Sequence, residues 1–104
     1  MYKFMAALKR KEGVSREEFH HWWLERHVPF VKKLPRVRRY AVNLVVVDNP
    51  RSGGWDGVAE VWFDSLEDLQ AAFGSPEAQA AQAHSTAHAS DVLRLVVEEH
   101  VQIE

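Results

Sequence analysis

The sequence contains no cysteine, few glycines and no long hydrophobic run, and each shortage excludes a class of protein. Without cysteine, neither a disulfide framework nor a thiolate nucleophile is available. The 5 glycines are too few and too widely spaced for a phosphate-binding loop or a dinucleotide-binding fingerprint. No stretch has the length of a membrane span, and the first residues lack the apolar core of a signal peptide. We therefore expect a cytoplasmic protein without a membrane partner.

What remains is the composition of one globular domain. The chain has 104 residues, of which 46% are hydrophobic and 11% aromatic, enough for one core, and we expect a single domain over residues 1–104. The formal net charge of −2 argues against a general attraction to nucleic acid. A basic cluster over residues 32–39 has no RNA-binding motif beside it. We interpret it as a solvated edge and expect no nucleic-acid partner.

Alternating and capping patterns predict four strands and two helical regions in the order β-α-β-β-α-β. This is the order of the ferredoxin-like fold, an α+β arrangement in which a four-stranded antiparallel sheet carries its helices on one face. The predicted strands span residues 2–9, 37–47, 58–63 and 92–103. The first predicted helical region spans residues 15–34. The second starts at Asp64 or Ser65, is interrupted at Gly74 and ends near Ser90.

The first helical region carries a clear start signal and the best candidate for chemistry. Ser15 and Glu18 have the spacing of a capping box. Pro29 cannot continue the hydrogen-bond ladder, so the helix should kink or restart near His27. One helical face then places a histidine among three aromatic rings, namely Phe19, Trp23, His27 and Phe30.

His27 is the candidate catalytic residue, because an imidazole transfers protons near neutral pH without a cofactor. As an alternative, His27 donates to a carbonyl freed by Pro29 and only holds the kink. Trp22 diverges from Trp23 by about 100° on a regular helix, so the two rings cannot face the same space. The candidate substrate-binding rings, for which core packing is the alternative role, are Trp23, Phe30 and Trp62.

Three further side chains are candidates for substrate binding. Tyr40, on the second strand, can offer its hydroxyl to a carbonyl or enolate oxygen, or it is simply structural. His84 and His88 lie four residues apart on an alanine-rich helix and can line a pocket wall, hold a metal or serve as a haem ligand. A solvated helix face is the plainer alternative for both. Because no third ligand is fixed by spacing, we expect no metal and no cofactor.

The strands are apolar on both faces, which two helices on one side cannot cover. Residues 44–47 are continuously apolar, Val58 and Trp62 point opposite to Val61, and residues 93–97 are interrupted only by Arg94. Such a face left in water invites aggregation. We therefore expect a homodimer in which the two sheets pack face to face and each helix layer encloses its own cavity.

The chain also resembles a known family through a set of motifs that covers most of its length. It resembles the EthD family, which implies a dimeric α+β-barrel protein in a superfamily of cofactor-free monooxygenases, lactone isomerases, polyketide cyclases and haem-binding relatives. The motifs that carry the resemblance are K-R-K-E-G-V-S-R-E-E-F, W-x-x-x-H-V-P, K-L-P-R-V-R-R-Y, G-V-A-E-V-W-F-D-S-L-E-D-L, S-P-E and V-E-E-H-V.

These observations together predict a small homodimer that holds a small hydrophobic organic ligand, aromatic or polyketide-like, between its helices and its sheet. Acid–base chemistry through His27, of the isomerase, cyclase or monooxygenase type, would need only a base near an acidic C–H bond and a dry pocket. The alternative is a non-catalytic ligand-binding or accessory protein of a degradation pathway.

Overall fold

The computed structural model describes residues 1–104 and contains four strands, four α-helices, one π-helical turn and one 3₁₀ turn (Pro50–Ser52). The strands are β1 (Tyr2–Arg10), β2 (Arg39–Leu44), β3 (Gly57–Phe63) and β4 (Ala89–Glu98). The helices are α1 (Arg16–Trp22), α2 (Val28–Val31), α3 (Leu66–Phe73) and α4 (Pro76–His88), with the π-turn (Trp23–His27) between α1 and α2.

The four strands form one antiparallel sheet in the order β2-β3-β1-β4, which confirms the predicted ferredoxin-like arrangement. The central strand β1 pairs with β3 on one side and with β4 on the other, so that Ala6 lies opposite both Ala59 and Arg94. Paired residues of neighbouring strands point to the same face. The register therefore fixes which side chains meet the helices.

The helix-covered face of the sheet holds the core. Ser15 and Glu18 form the predicted capping box, in which the Glu18 backbone N–H donates to Ser15 Oγ at 3.0 Å. The helix that begins there buries Phe19 and Trp23 against Leu8 and Ala59. Further along the sheet, α3 packs against the other half of the same face. None of the helices is long and apolar enough to cross a membrane.

Two strands differ from their predicted bounds because their pairing partners end. β2 stops at Leu44 rather than residue 47; beyond it Val46 and Val47 are 84% and 70% exposed. β4 begins at Ala89, directly after α4, and stops at Glu98 rather than residue 103, because its neighbour β1 has no residues left to pair. Apolar side chains alone do not extend a strand when the ladder bonds are missing.

The opposite side of the sheet, here called the far face, is only partly apolar. Its centre carries Lys3, whose Nζ donates to carboxylate oxygens of Glu60 at 2.9 Å and of Glu99 at 3.1 Å. Leu93 and Leu95 on β4 lie beside this network and are 44% and 46% exposed. The expectation of a wholly apolar second face is therefore wrong at its centre and right along β4.

Candidate functional site

A π-turn replaces the kink that Pro29 predicts. The Val28 N–H donates to the Trp23 carbonyl five residues earlier, which inserts one extra residue into the helical winding before the α-helix resumes. Pro29 lies in the first turn of α2, where its missing N–H costs no hydrogen bond. Because the winding is wider, Trp22 rather than Trp23 stacks on the His27 ring. Such single π-turns occur frequently at functional sites.

Three histidines and a tryptophan, here called the histidine cluster, gather where this turn meets α4. His27 Nδ1 lies 2.9 Å from His84 Nδ1, with the two rings within 11° of coplanar. The Trp22 ring stacks on each of the three imidazoles at centroid distances of 5.1 to 5.2 Å. His27 is 6% exposed, whereas His84 is half-buried and His88 is exposed. The cluster therefore runs from the core to the solvent.

Burial keeps the inner part of this cluster uncharged. It lowers the pKa of His27 to about 4, and the neighbouring positive charges of His84 and His88 add to that effect. Burial, followed by repulsion from His88, also lowers the pKa of His84. At neutral pH the His27–His84 hydrogen bond thus joins two neutral imidazoles, one donating and one accepting. Because Nδ1 of His27 is engaged, the ring nitrogen left for other partners is Nε2.

His27 lines a small cavity between the helices and the sheet. The cavity has a volume of about 40 Å³, and 11 of its 15 lining residues are hydrophobic. That volume holds roughly three water molecules, whereas small-molecule sites usually measure about 300–1,000 Å³. An organic ligand must therefore displace side chains at the mouth. The walls include Phe4, Ala6, Leu8, Val61 and Phe73.

Two buried polar groups in the cavity wall have no hydrogen-bond partner. Trp23 Nε1 and the Tyr40 hydroxyl are both inaccessible to solvent and unbonded. Burial raises the pKa of Tyr40 far above its ordinary value, and a weak interaction with the Trp23 N–H, short of a regular hydrogen bond, opposes this rise only in part. The phenol therefore stays protonated and able to donate. Unpaired buried donors are rare in native proteins, and a ligand oxygen is one explanation for them.

The predicted site residues fall into three places. His27, Trp23 and Tyr40 lie together in the cavity wall. His84 and Phe30 stack on each other at 4.3 Å beside the cavity, and His88 lies further out, so these three residues surround His27 rather than line the cavity. No group of three or more His, Asp or Glu side chains is placed to hold a metal ion.

Trp62 is the one predicted site residue that the structure separates from the others. Its side chain lies on the far face, where Nε1 donates to Glu99 and where Lys3 and Arg39 stack over the ring. The adjacent Val61 points into the cavity instead, as strand alternation requires. The assignment of Trp62 as a pocket wall is therefore wrong.

Sequence reasoning missed two residues of the site, Trp22 and Arg94. Trp22 was set aside on the assumption of regular α-helical winding, although Pro29 was a signal that the winding changes. Arg94 was noticed only as an interruption of an apolar run. It faces the helices and lines the cavity, and a charge at an inward strand position was the available signal.

The comparisons with known proteins agree with this architecture. The sequence profile of the EthD domain matches residues 11–91. The chain belongs to the EthD family. Among curated proteins, none matches the sequence.

Solved structures of other proteins share the EthD fold along almost the whole chain. An ethyl tert-butyl ether degradation (EthD) family protein from Bacillus halodurans is 24% identical with a TM-score of 0.82, and the match covers 96% of this chain and 99% of that one. A dimeric ferredoxin-like protein of unknown function from Thermobifida fusca is 14% identical with a TM-score of 0.71, covering 92% and 88%. A variant of SnoaB, a cofactor-independent oxygenase from Streptomyces nogalater, is 14% identical with a TM-score of 0.71, covering 98% and 95%.

Proposed function

We propose that this EthD-family protein is an enzyme that binds a small, mainly apolar carbonyl compound in the helix–sheet cavity and removes a proton from it with His27. The single observation that carries this proposal is the buried, neutral His27 ring, whose Nδ1 is occupied by His84 while the ring lines the cavity. A neutral imidazole with one unoccupied nitrogen is the arrangement that a general base requires, and His27 meets it in the tautomer whose Nδ1–H donates to His84.

The proposed step uses only side chains of this chain. With His27 Nδ1–H donating to His84, Nε2 accepts the proton from the carbon next to the substrate carbonyl. The C–H bond breaks, and its electron pair moves into an enolate whose oxygen accepts hydrogen bonds from the Tyr40 hydroxyl and Trp23 Nε1. Those two donors are already desolvated and make no hydrogen bond of regular geometry, so an enolate oxygen would replace only their weak contact with each other. Isomerisation, cyclisation or cofactor-independent oxygenation can each begin with such an enolate.

Hydrogen–deuterium exchange tests this step with the probe 1-phenyl-1,3-butanedione. We expect the wild-type protein to accelerate exchange at the carbon between the two carbonyls, measured by NMR in D₂O against buffer. His27→Gln should lose the acceleration, because an amide is not a base, while binding of the probe is retained. His21→Gln is the matched control, since His21 is exposed on the same helix. No acceleration by the wild type, or an equal rate in His27→Gln, would contradict catalysis and favour a binding role.

We also propose that two copies pair through their far faces. The half-exposed Leu93 and Leu95 make this face suitable for burial, and the Lys3 ammonium beside them is already paired with Glu60 and Glu99. The Thermobifida fusca structure with the same fold is described as dimeric. The proposal agrees with the twofold assembly that the resemblance implied.

Sedimentation equilibrium tests the dimer. We expect twice the 12.0 kDa chain mass at micromolar concentration. Leu95→Asp should reduce it to the mass of one chain, because the new carboxylate would be buried without a partner. Leu24→Asp is the matched control: Leu24 is equally exposed, at 47%, but lies on the helix side. Wild-type protein that sediments as a single chain would refute the proposal.

A further inference from the structure

Arg94 is the one charged side chain in the wall of a mainly apolar cavity. It lies on β4 opposite Ala6 and therefore faces the helices rather than the far face. Of all the lining residues it is the only exposed one, which places its guanidinium at the solvent side of the cavity. His27 and Arg94 thus lie on the same cavity, one buried and neutral, the other at the mouth and positively charged.

The surroundings of Arg94 orient its side chain but leave its charge uncompensated. Nη2 alone donates to three oxygens of α4: Ser85 Oγ at 3.3 Å, Thr86 Oγ1 at 3.2 Å and the Gln82 carbonyl at 3.5 Å. All three acceptors are neutral, and no carboxylate lies within 4.0 Å of this guanidinium. Four other arginines pair with aspartates, namely Arg10, Arg16, Arg36 and Arg38.

An arginine fixed in this way is prepared to bind a planar anion. Its Nε and Nη1 donors remain free, and the Nη1 N–H groups can make charge-assisted hydrogen bonds to a carboxylate oxygen. The apolar walls between the guanidinium and His27 suit the hydrocarbon part of such a molecule.

We infer that the substrate is a carboxylic acid whose carboxylate is held by Arg94 at the cavity mouth, with its apolar part directed inward to His27. This inference rests on the proposed function, because it concerns the substrate of the same cavity. It assigns Arg94 as the specificity-determining residue. The competing structural role, in which Arg94 only joins β4 to α4, predicts no preference for an anion.

A matched pair of probes tests the inference: 3-phenylpropanoate and its neutral amide, 3-phenylpropanamide, titrated by NMR at low ionic strength. We expect the wild-type protein to bind the carboxylate about tenfold more tightly or better, as charge-assisted hydrogen bonds give. Arg94→Gln should bring the ratio of the two affinities close to one. The glutamine side chain of this variant retains an amide that can still donate to Ser85 and Thr86. Arg26→Gln, at an exposed arginine away from the cavity, should keep the wild-type ratio.

Three results would overturn the inference: equal wild-type affinity for both probes, no carboxylate binding, or an Arg94→Gln variant that weakens both probes equally. His27→Gln should keep the preference for the carboxylate, since the base is not needed for binding. If exchange depends on His27 but the wild type shows no preference for the anion, the proposed function stands and only the carboxylate inference fails. If the wild type prefers the anion but does not accelerate exchange, the carboxylate inference stands and the proposed proton transfer fails.

Discussion

Acidification should destabilise this protein through His27 before most carboxylates are protonated. Above pH 6.5 neither the folded nor the unfolded chain binds a proton at this residue. Below that pH the unfolded chain takes the proton up, but the folded chain does not until about pH 4. The free energy of unfolding therefore falls as the pH drops from 6.5 to 4. The gap between the two pKa values corresponds to about 3 kcal/mol.

Urea unfolding of three proteins measures this contribution. The wild type, His27→Gln and His21→Gln are compared at pH 7 and pH 4, at one protein concentration because dimer stability depends on it. We expect the wild type to lose about 3 kcal/mol more than His27→Gln between the two pH values. His21→Gln should behave like the wild type. Glu98 and Glu99, whose pKa values hydrogen bonds lower, add acid sensitivity that is the same in all three proteins.

The comparison has one outcome that refutes the reasoning. If His27→Gln loses as much stability as the wild type, His27 does not stay neutral in the folded protein below pH 6.5. Nitrogen-15 NMR of the ring provides an independent reading, because it reports the protonation state directly. A ring that titrates near 6.5 would remove the basis for a buried base in the cavity.

Three other predictions concern the cavity walls. Gly57→Ala should lower the free energy of unfolding by about 1–3 kcal/mol, because the new Cβ would come within 2.7 Å of the Trp23 ring and of a backbone oxygen. Gly74→Ala is the control and should cost less, because its Cβ would meet nothing closer than 3.4 Å. Equal losses of stability in thermal unfolding would refute this. Tyr40→Phe should stabilise the ligand-free protein by about 1 kcal/mol by removing an unpaired hydroxyl while slowing exchange of the diketone probe; a destabilised variant would show that the hydroxyl has a partner. The exchange rate should fall as the pH drops through about 4, where His27 becomes protonated; a fall centred near 6.5 would point to a different base.

Local signals carried most of what the sequence could predict about the fold. Ser15 caps its helix as the capping-box spacing predicted, and Ser65 and Ser75 likewise cap α3 and α4 with a side-chain oxygen. Strand alternation separated the two faces of β3 correctly. The strand ends were less predictable, because they depend on where a partner strand stops rather than on the residues themselves.

The site was harder to predict because it depends on which face the helices cover and on how one helix winds. Trp62 was assigned to the cavity although alternation placed it opposite Val61, since both faces looked apolar. Trp22 was excluded by a regular spacing that the π-turn breaks. Arg94 could be recognised as a site residue only from the strand register, which places it beside the cavity. His27 could be singled out from the sequence because its residue type, and not its position alone, suggested chemistry; its catalytic role stays a prediction.

The extra residue in the first helical region has a consequence for how its length can vary. Trp22 and His27 are five positions apart here, yet they meet as residues four apart do in an ordinary α-helix. A shortened chain lacking the exposed Arg26 could close the backbone ladder and still bring the indole onto the imidazole. Relatives with a straight helix one residue shorter would thus present the same pair of rings, and alignments that forbid a gap at this point would mismatch them.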